Sequence, residues 1–355
     1  MKNQQKESSK KGLSHAFTEI FLSDKGKLNS IIGHEDVKEQ LKSALVSGRH
    51  IIIVGKPGVG KTTLANNVAS LLPEITVNDC GFNCLPENPV CPSCIAGRTK
   101  KTKTISGTAR MVRIQGSPDL TSEDIFGDID PVRAMKYGPL SPEAFMPGKI
   151  FKANNGILFF DEINRCPEKL QNALLQAMEE KKITLGSYDV DFNIDFILIA
   201  TMNPSDTNTE KLSSVLLDRF DLIYMGYPET ESIEEEIVKK KGKKIIETGD
   251  KIIKTMVSFI WQLRQDSSIE EAPSVRATLG LYERTQAFAL LRHKKKPDIY
   301  DFKDAVISVL AHRIKLKPSV KYLTTPQEFL EKNLKEFFEE NRINIAESEK
   351  KSGSP

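Results

Sequence analysis

The segment Gly55-Lys56-Pro57-Gly58-Val59-Gly60-Lys61-Thr62 fits the phosphate-loop pattern G-x-x-x-x-G-K-[ST] without a mismatch. The apolar run Ile51-Ile52-Ile53-Val54 precedes it and predicts a buried parallel strand. Leu64, Ala65, Val68, Ala69 and Leu72 follow at helical spacing. Strand, glycine-rich turn and helix start are the context the motif needs. Glycines let backbone N–H groups converge on phosphate oxygens, and a helix N-terminus adds a partial positive charge. Lys61 would reach the β- and γ-phosphates, and Thr62 would ligate Mg²⁺. Gly55, Pro57, Gly58, Val59, Gly60, Lys61, Thr62 and Thr63 are therefore expected to hold a nucleotide. The alternative is a βα turn with no ligand, which full motif and context together argue against.

A nucleotide site also needs a metal-holding acid and a group that handles the attacking water. Gly156-Ile157-Leu158-Phe159-Phe160-Asp161-Glu162 offers both at the end of one apolar strand. In open α/β sheets ligands bind at that carboxyl edge. Asp161 would hold Mg²⁺ through water and Glu162 would act as general base. A third apolar strand, Phe196–Thr201, runs into Met202-Asn203-Pro204, where Asn203 could hydrogen-bond the attacking water or the γ-phosphate. Arg219, in Leu216-Leu217-Asp218-Arg219-Phe220-Asp221, is flanked by acids. It reads either as an intrachain salt bridge or as an arginine finger for a neighbouring subunit.

Cys80-x₃-Cys84-x₆-Cys91-x₂-Cys94 lies between the phosphate-loop helix and the next strand. Four thiolates this close can form a closed tetrahedral Zn²⁺ site. In a reducing compartment the pattern reads as metal more readily than as disulfides. Redox-labile thiols and an iron–sulfur cluster remain alternatives. Cys166 stands alone and reads as a small packed residue.

Taken together these segments resemble a ring-forming AAA+ ATPase of the MoxR and magnesium-chelatase ATPase-subunit branch. The resemblance extends to Ile32-Gly33-His34-Glu35, Pro147-Gly148-Lys149-Ile150-Phe151, Asp161-Glu162-Ile163-Asn164-Arg165 and Ala173–Glu180, and covers roughly residues 28–316. It implies an α/β P-loop core, a parallel sheet flanked by helices, followed by a small all-α lid. It implies roles for Glu162 as base, Asn203 as sensor 1, Arg219 as arginine finger and Arg276 as sensor 2. Ser274 would cap the helix that carries Arg276. It also implies ATP and Mg²⁺ as cofactors, a homo-oligomeric ring (a hexamer), a protein client and a von Willebrand A-type partner. The four-cysteine insert departs from the MoxR pattern.

The elements that must position these residues can be laid along the chain. Residues 1–13 read as a disordered tail and 14–228 as the nucleotide-binding core. Within the core lie the four-cysteine insert (76–107), a Pro/Gly-punctuated segment resembling the helix-2 insert (127–150) and a hairpin (183–195). Residues 229–318 read as the helical lid, with stretches at 230–247, 250–264, 275–292 and 301–315. Residues 319–355 read as a capped C-terminal helix and a disordered end, the helix opening on the capping box Thr325-Pro326-Gln327-Glu328. Its Leu330, Leu334, Phe337 and Phe338 face must pack on the lid or on a partner.

With 355 residues, 39% hydrophobic and 28% charged, the chain suits a two-domain globular protein. A formal charge of +3 implies no whole-chain attraction to polyanions. The lysine clusters at 239–244 and 292–296 read as solvated surface, so nucleic acid is not an expected partner. No apolar run approaches a membrane span, and no signal peptide is visible, so a cytoplasmic location is expected. Two other functions stay open. One is a magnesium-chelatase-type subunit, suggested by Asp128-Ile129-Asp130 and Arg133-Ala134-Met135. The other is a nucleic-acid motor related to helix-2-insert helicases, with the lysine clusters and the hairpin as its nucleic-acid contacts.

Overall fold

A computed structural model of the chain describes residues 12–24, 26–139, 141, 143–184, 191–204, 206 and 212–343. The tails expected to be disordered fall outside the described residues, except for Gly12 and Leu13. So does the hairpin tip at 185–190. Leu13 is buried and opens a helix rather than ending a tail. The chain divides into two compact units. One holds residues up to Lys56 with Gly60–Met225, and the other holds Pro57–Val59 with residues from Gly226 onward.

The first unit begins with α1 (Leu13–Leu22), α2 (Glu35–Val46), β1 (His50–Val54) and α3 (Lys61–Leu71). Then come β2 (Ile75–Asn78), α4 (Pro92–Ile95), β3 (Thr102–Ile105), β4 (Met111–Gln115), α5 (Ser122–Phe126) and β5 (Gly127–Ile129). They are followed by α6 (Pro131–Tyr137), β6 (Phe145–Pro147), α7 (Lys149–Lys152), β7 (Gly156–Asp161) and α8 (Glu168–Glu180). The unit closes with β8 (Lys182–Thr184), β9 (Asp191–Asn193), β10 (Phe196–Met202), α9 (Ser214–Leu217) and β11 (Phe220–Tyr224).

Five strands form one sheet in the order β11-β1-β10-β7-β4, with every neighbouring pair parallel. Ile51, Ile52 and Ile53, Ile157 to Phe160, and Leu198 to Ala200 are buried almost completely. Continuous rather than alternating apolar runs are what a parallel sheet covered on both faces requires. Because all five strands run the same way, their carboxyl ends share one edge. Three antiparallel pairs, β2–β3, β5–β6 and β8–β9, are built off this frame.

The second unit contains α10 (Glu231–Lys241), α11 (Asp250–Gln265), β12 (Ile269–Glu271), α12 (Val275–Leu291) and α13 (Ile299–Leu310). It ends with β13 (Lys315–Leu316), α14 (Pro318–Lys321) and α15 (Pro326–Glu340). It is helical apart from the short antiparallel pair β12–β13. The stretch expected to be helical over 230–247 stops at Lys241, because Gly242 follows and the Ile245 and Ile246 amides donate to Gln286 Oε1 instead. The helix expected over 301–315 starts at Ile299, where Asp298 and Asp301 form a capping box. Thr325 and Glu328 cap α15 in the same way, with Pro326 in its first turn. Phe337 of α15 lies 5.2 Å from Phe259, and Phe338 lies 6.1 Å from Phe302, ring centre to ring centre. Phe329, Leu330, Leu334, Phe337 and Phe338 thus belong to the core of this unit, which is how the apolar face of α15 is buried.

Candidate active site

The phosphate loop joins β1 to α3. Gly58 (φ 79°) and Gly60 (φ 111°) take left-handed conformations that side chains disfavour. The Gly55 amide donates to the Met202 carbonyl at 3.1 Å, which ties the loop to the end of β10. Lys61 Nζ folds back on the carbonyls of Gly55 and Lys56. Val59 is buried, Thr62 half-buried, and Thr63 and Pro57 are exposed.

Asp161 ends β7 at the same edge. Its Oδ1 accepts from Thr201 Oγ1 at 2.6 Å and its Oδ2 from Arg113 at 2.6 Å. Thr201 also accepts the Glu162 amide at 2.9 Å. Glu162 itself is left-handed, at φ 57° and ψ 54°. A non-glycine residue held there costs free energy and is a frequent mark of a functional turn. Its Oε2 takes hydrogen bonds from Gln115 at 3.1 Å and Arg165 at 3.0 Å. Arg165 in turn binds Asp206 at 2.5 Å.

Gly116 explains why this turn fits. Its amide donates to the Asp161 carbonyl at 2.7 Å, and a Cβ there would lie 2.0 Å from the Glu162 carbonyl oxygen. Arg113, Gln115, Gly116 and Thr201 carry no motif signal. What could have flagged them is their place at strand ends adjoining Asp161. Asn203 sits just past β10, its carbonyl accepting from Asn164 Nδ2 at 3.4 Å. Asn164 is buried, and its Oδ1 has no hydrogen-bond partner among the described residues.

Arg219 is elsewhere. It precedes β11, whose Phe220 pairs with His50 at the start of β1. It therefore lies at the amino edge of the sheet, about 16 Å along the strand from the carboxyl edge at 3.3 Å per residue. There it is bound by Glu179, and by Asp218 at 2.8 Å. In the second unit, Arg276 is exposed in the first turn of α12. Ser274 occupies the N-cap position, but its side chain makes no capping hydrogen bond, contrary to the sequence expectation.

The ligand atoms of Cys80, Cys84, Cys91 and Cys94 all lie within 4.8 Å of one another at the tip of the β2–β3 ribbon. Cys80 falls below the ordinary thiol range because Cys84 and Cys91 donate to it. Cys84, raised to about 11, and Cys91 are pushed up as the donors to Cys80. Cys166 is fully buried.

A family model described as "ATPase family associated with various cellular activities (AAA)" matches residues 91–222. One described as "Magnesium chelatase, subunit ChlI" matches residues 27–83. The chain is 28% identical over 349 residues to a magnesium-chelatase subunit ChlI homolog of Methanocaldococcus jannaschii, covering 88% of this chain and 91% of that one. It is 26% identical over 318 residues to chaperone MoxR1 of Mycobacterium tuberculosis, covering 81% and 73%. By these matches the chain is similar to AAA+ ATPases of the MoxR and magnesium-chelatase branch. A mutant RuvB from Thermotoga maritima shares the fold of this ATPase, with a TM-score of 0.51 at 19% identity over 89% of this chain and 79% of that one.

An AAA+ ATPase uses ATP and Mg²⁺, and the donor set fits both. Lys61 and the glycine-rich turn suit phosphate, while the Thr62 hydroxyl and Asp161 carboxylate suit a hard divalent cation. No described helix is long and apolar enough to cross a membrane.

Proposed function

We propose that this ATPase works as a homo-oligomeric ring, a hexamer, that uses ATP hydrolysis to remodel or mature a client protein. The observation that carries the ring is the place of Arg219. It stands at the sheet edge opposite Asp161 and Glu162, so it can serve only a nucleotide held by another copy. Bound ATP with Mg²⁺ supplies the phosphoryl group open to attack by water. Lys61 and the loop amides would bind the phosphates, and Thr62 and Asp161 would hold the Mg²⁺. Glu162 accepts the proton of the attacking water, while Gln115 and Arg165 hold its carboxylate in place. Asn203 orients that water, and Arg276 takes the sensor 2 role. In P-loop GTPases an arginine finger is worth ~10³–10⁵ in rate.

The inserts β5–β6 and β8–β9 would engage the client, with a von Willebrand A-type protein as partner and the cytoplasm as the setting. The four cysteines would hold a structural Zn²⁺. A metal-chelatase subunit is the second reading, favoured by the ChlI family match over residues 27–83.

The test is complementation between two inactive proteins. Arg219→Ala and Lys61→Ala chains should each lose turnover. Mixed in equal amounts, they should recover roughly a quarter of it, the fraction of interfaces pairing an intact loop with an intact finger. Full activity of Arg219→Ala alone, or no recovery on mixing, overturns the assignment.

A further inference from the structure

The β2–β3 ribbon closes with the Asp79 amide on the Lys101 carbonyl at 2.9 Å, and residues 80–100 form its tip. This tip is too short and polar to bury a core of its own, so its fold needs a staple. The four sulfurs supply one. Tetrahedral Zn–S bonds of about 2.3 Å place ligand sulfurs about 3.8 Å apart, compatible with the observed cluster. Peptide amides are already aimed at the sulfurs. Val90 N and Cys91 N donate to Cys84 Sγ at 3.3 and 3.4 Å, and Cys94 N donates to Cys91 Sγ at 3.4 Å. Such donors stabilise the thiolate charge that a metal ligand must carry.

Two of the ligands, Cys80 and Cys84, bracket the tripeptide Gly81-Phe82-Asn83. Its backbone is tightly wound, with Gly81 at φ 80° and Asn83 at φ 46°. From this wound loop the Phe82 ring meets three others. It is stacked on Phe192 of β9 at 5.6 Å, and it meets Phe151 of α7 at 5.0 Å and Phe145 of β6 at 6.2 Å. Polar contacts fix the same tripeptide. Asn83 Nδ2 donates to the Lys152 carbonyl at 2.6 Å. Asn154 donates to the Phe82 carbonyl and Asn155 to the Asn83 carbonyl, each at 3.1 Å. Arg98, further along the tip, is ion-paired with Glu143 beside β6.

We propose that Zn²⁺ held by Cys80, Cys84, Cys91 and Cys94 clamps the Phe82 loop, and that metal occupancy thereby sets the position of both the β5–β6 insert and the β8–β9 hairpin. The proposal rests on the zinc part of the reading above and gives that metal a task. One residue of the tip, Phe82, touches both inserts, and a ligand tethers its backbone on either side. Loss of the metal frees both tethers at once, and the four-ring cluster loses the member that joins it to the tip.

The full chain tests this by metal analysis and hydrogen exchange, with and without a strong zinc chelator. About one zinc per chain is expected. Stripping it should speed amide exchange at 145–151 and 191–193 by about tenfold or more, while β1 and β10 keep their protection. Phe82→Ala should speed exchange in the same segments with zinc retained, so global unfolding of the stripped protein would not mask the result. Zinc present, with exchange at both inserts unmoved by chelation or by Phe82→Ala, overturns the clamp and leaves the metal site standing. Absence of bound metal, or an iron–sulfur chromophore in its place, overturns both.

Discussion

Replacing Glu234 by alanine should destabilise the helical unit by about 4 kcal/mol, a figure that follows from how completely this carboxylate is enclosed. Glu234 is 0% exposed. One oxygen accepts from Trp261 Nε1 at 2.7 Å and Arg264 NH1 at 2.5 Å; the other accepts from Arg264 NH2 at 2.9 Å and Thr278 Oγ1 at 2.5 Å. The Arg264 side chain is 7% exposed, lies 4.3 Å over the Tyr227 ring, and donates through Nε to the Pro273 carbonyl at 2.9 Å. Removing the carboxylate leaves this guanidinium buried with no counter-charge, which costs about 3–5 kcal/mol. With a urea dependence of about 2 kcal/mol per molar, the midpoint should fall by about 2 M. Trp261 is the single tryptophan of the chain and sits in the network, so its fluorescence reports this unit directly. A second variant separates charge from shape. Glu234→Leu combined with Arg264→Met removes both charges and should regain most of the lost stability. A midpoint shift below about 0.5 M for Glu234→Ala, or a double variant as unstable as the single one, would refute the argument from uncompensated charge.

Two further outcomes follow from the first unit. Burial, with Lys181 and Arg49 nearby, pushes the His50 imidazole down to about 4, against a favourable hydrogen bond with the Met178 backbone. The ring lies between Phe196 and Phe220, and its Nδ1 accepts the Leu198 amide at 3.0 Å. The unfolded chain therefore binds more protons between pH 6.5 and pH 4, so this contribution is complete above about pH 6.5 and is lost as pH falls towards 4. The loss reaches up to about 3 kcal/mol. Denaturation midpoints of His50→Gln should be much flatter between pH 7.5 and pH 5, and an unchanged pH dependence counts against His50 as the source. Glu162→Gln should still bind ATP but hydrolyse it ~10²–10⁴-fold more slowly. Wild-type turnover in that protein would remove Glu162 from the role of base.

What the sequence determined by itself is local. An apolar run, a glycine-rich turn and helical spacing specify β1, the phosphate loop and α3, because strand, turn and helix signals all lie within about twenty residues. The same holds for the strand that ends at Asp161, for the Thr325–Glu328 capping box, and for four cysteines whose spacing brings their sulfurs together. Tertiary structure decided which side chains surround those motifs. Gln115 and Arg113 reach Glu162 and Asp161 across a strand pair, Thr201 does so from another strand, and Gly116 is needed because Glu162 turns back against it. Arg219 shows the limit most clearly. Its motif suggests a finger, but only the parallel register of β11 on β1 puts it at the edge away from its own chain's Asp161 and Glu162. Phe82 and Glu234 carried no sequence signal either, since each matters through partners from 27 to 110 residues away. Contacts closed over such spans depend on how strands and helices stack, and short-range spacing holds no record of that.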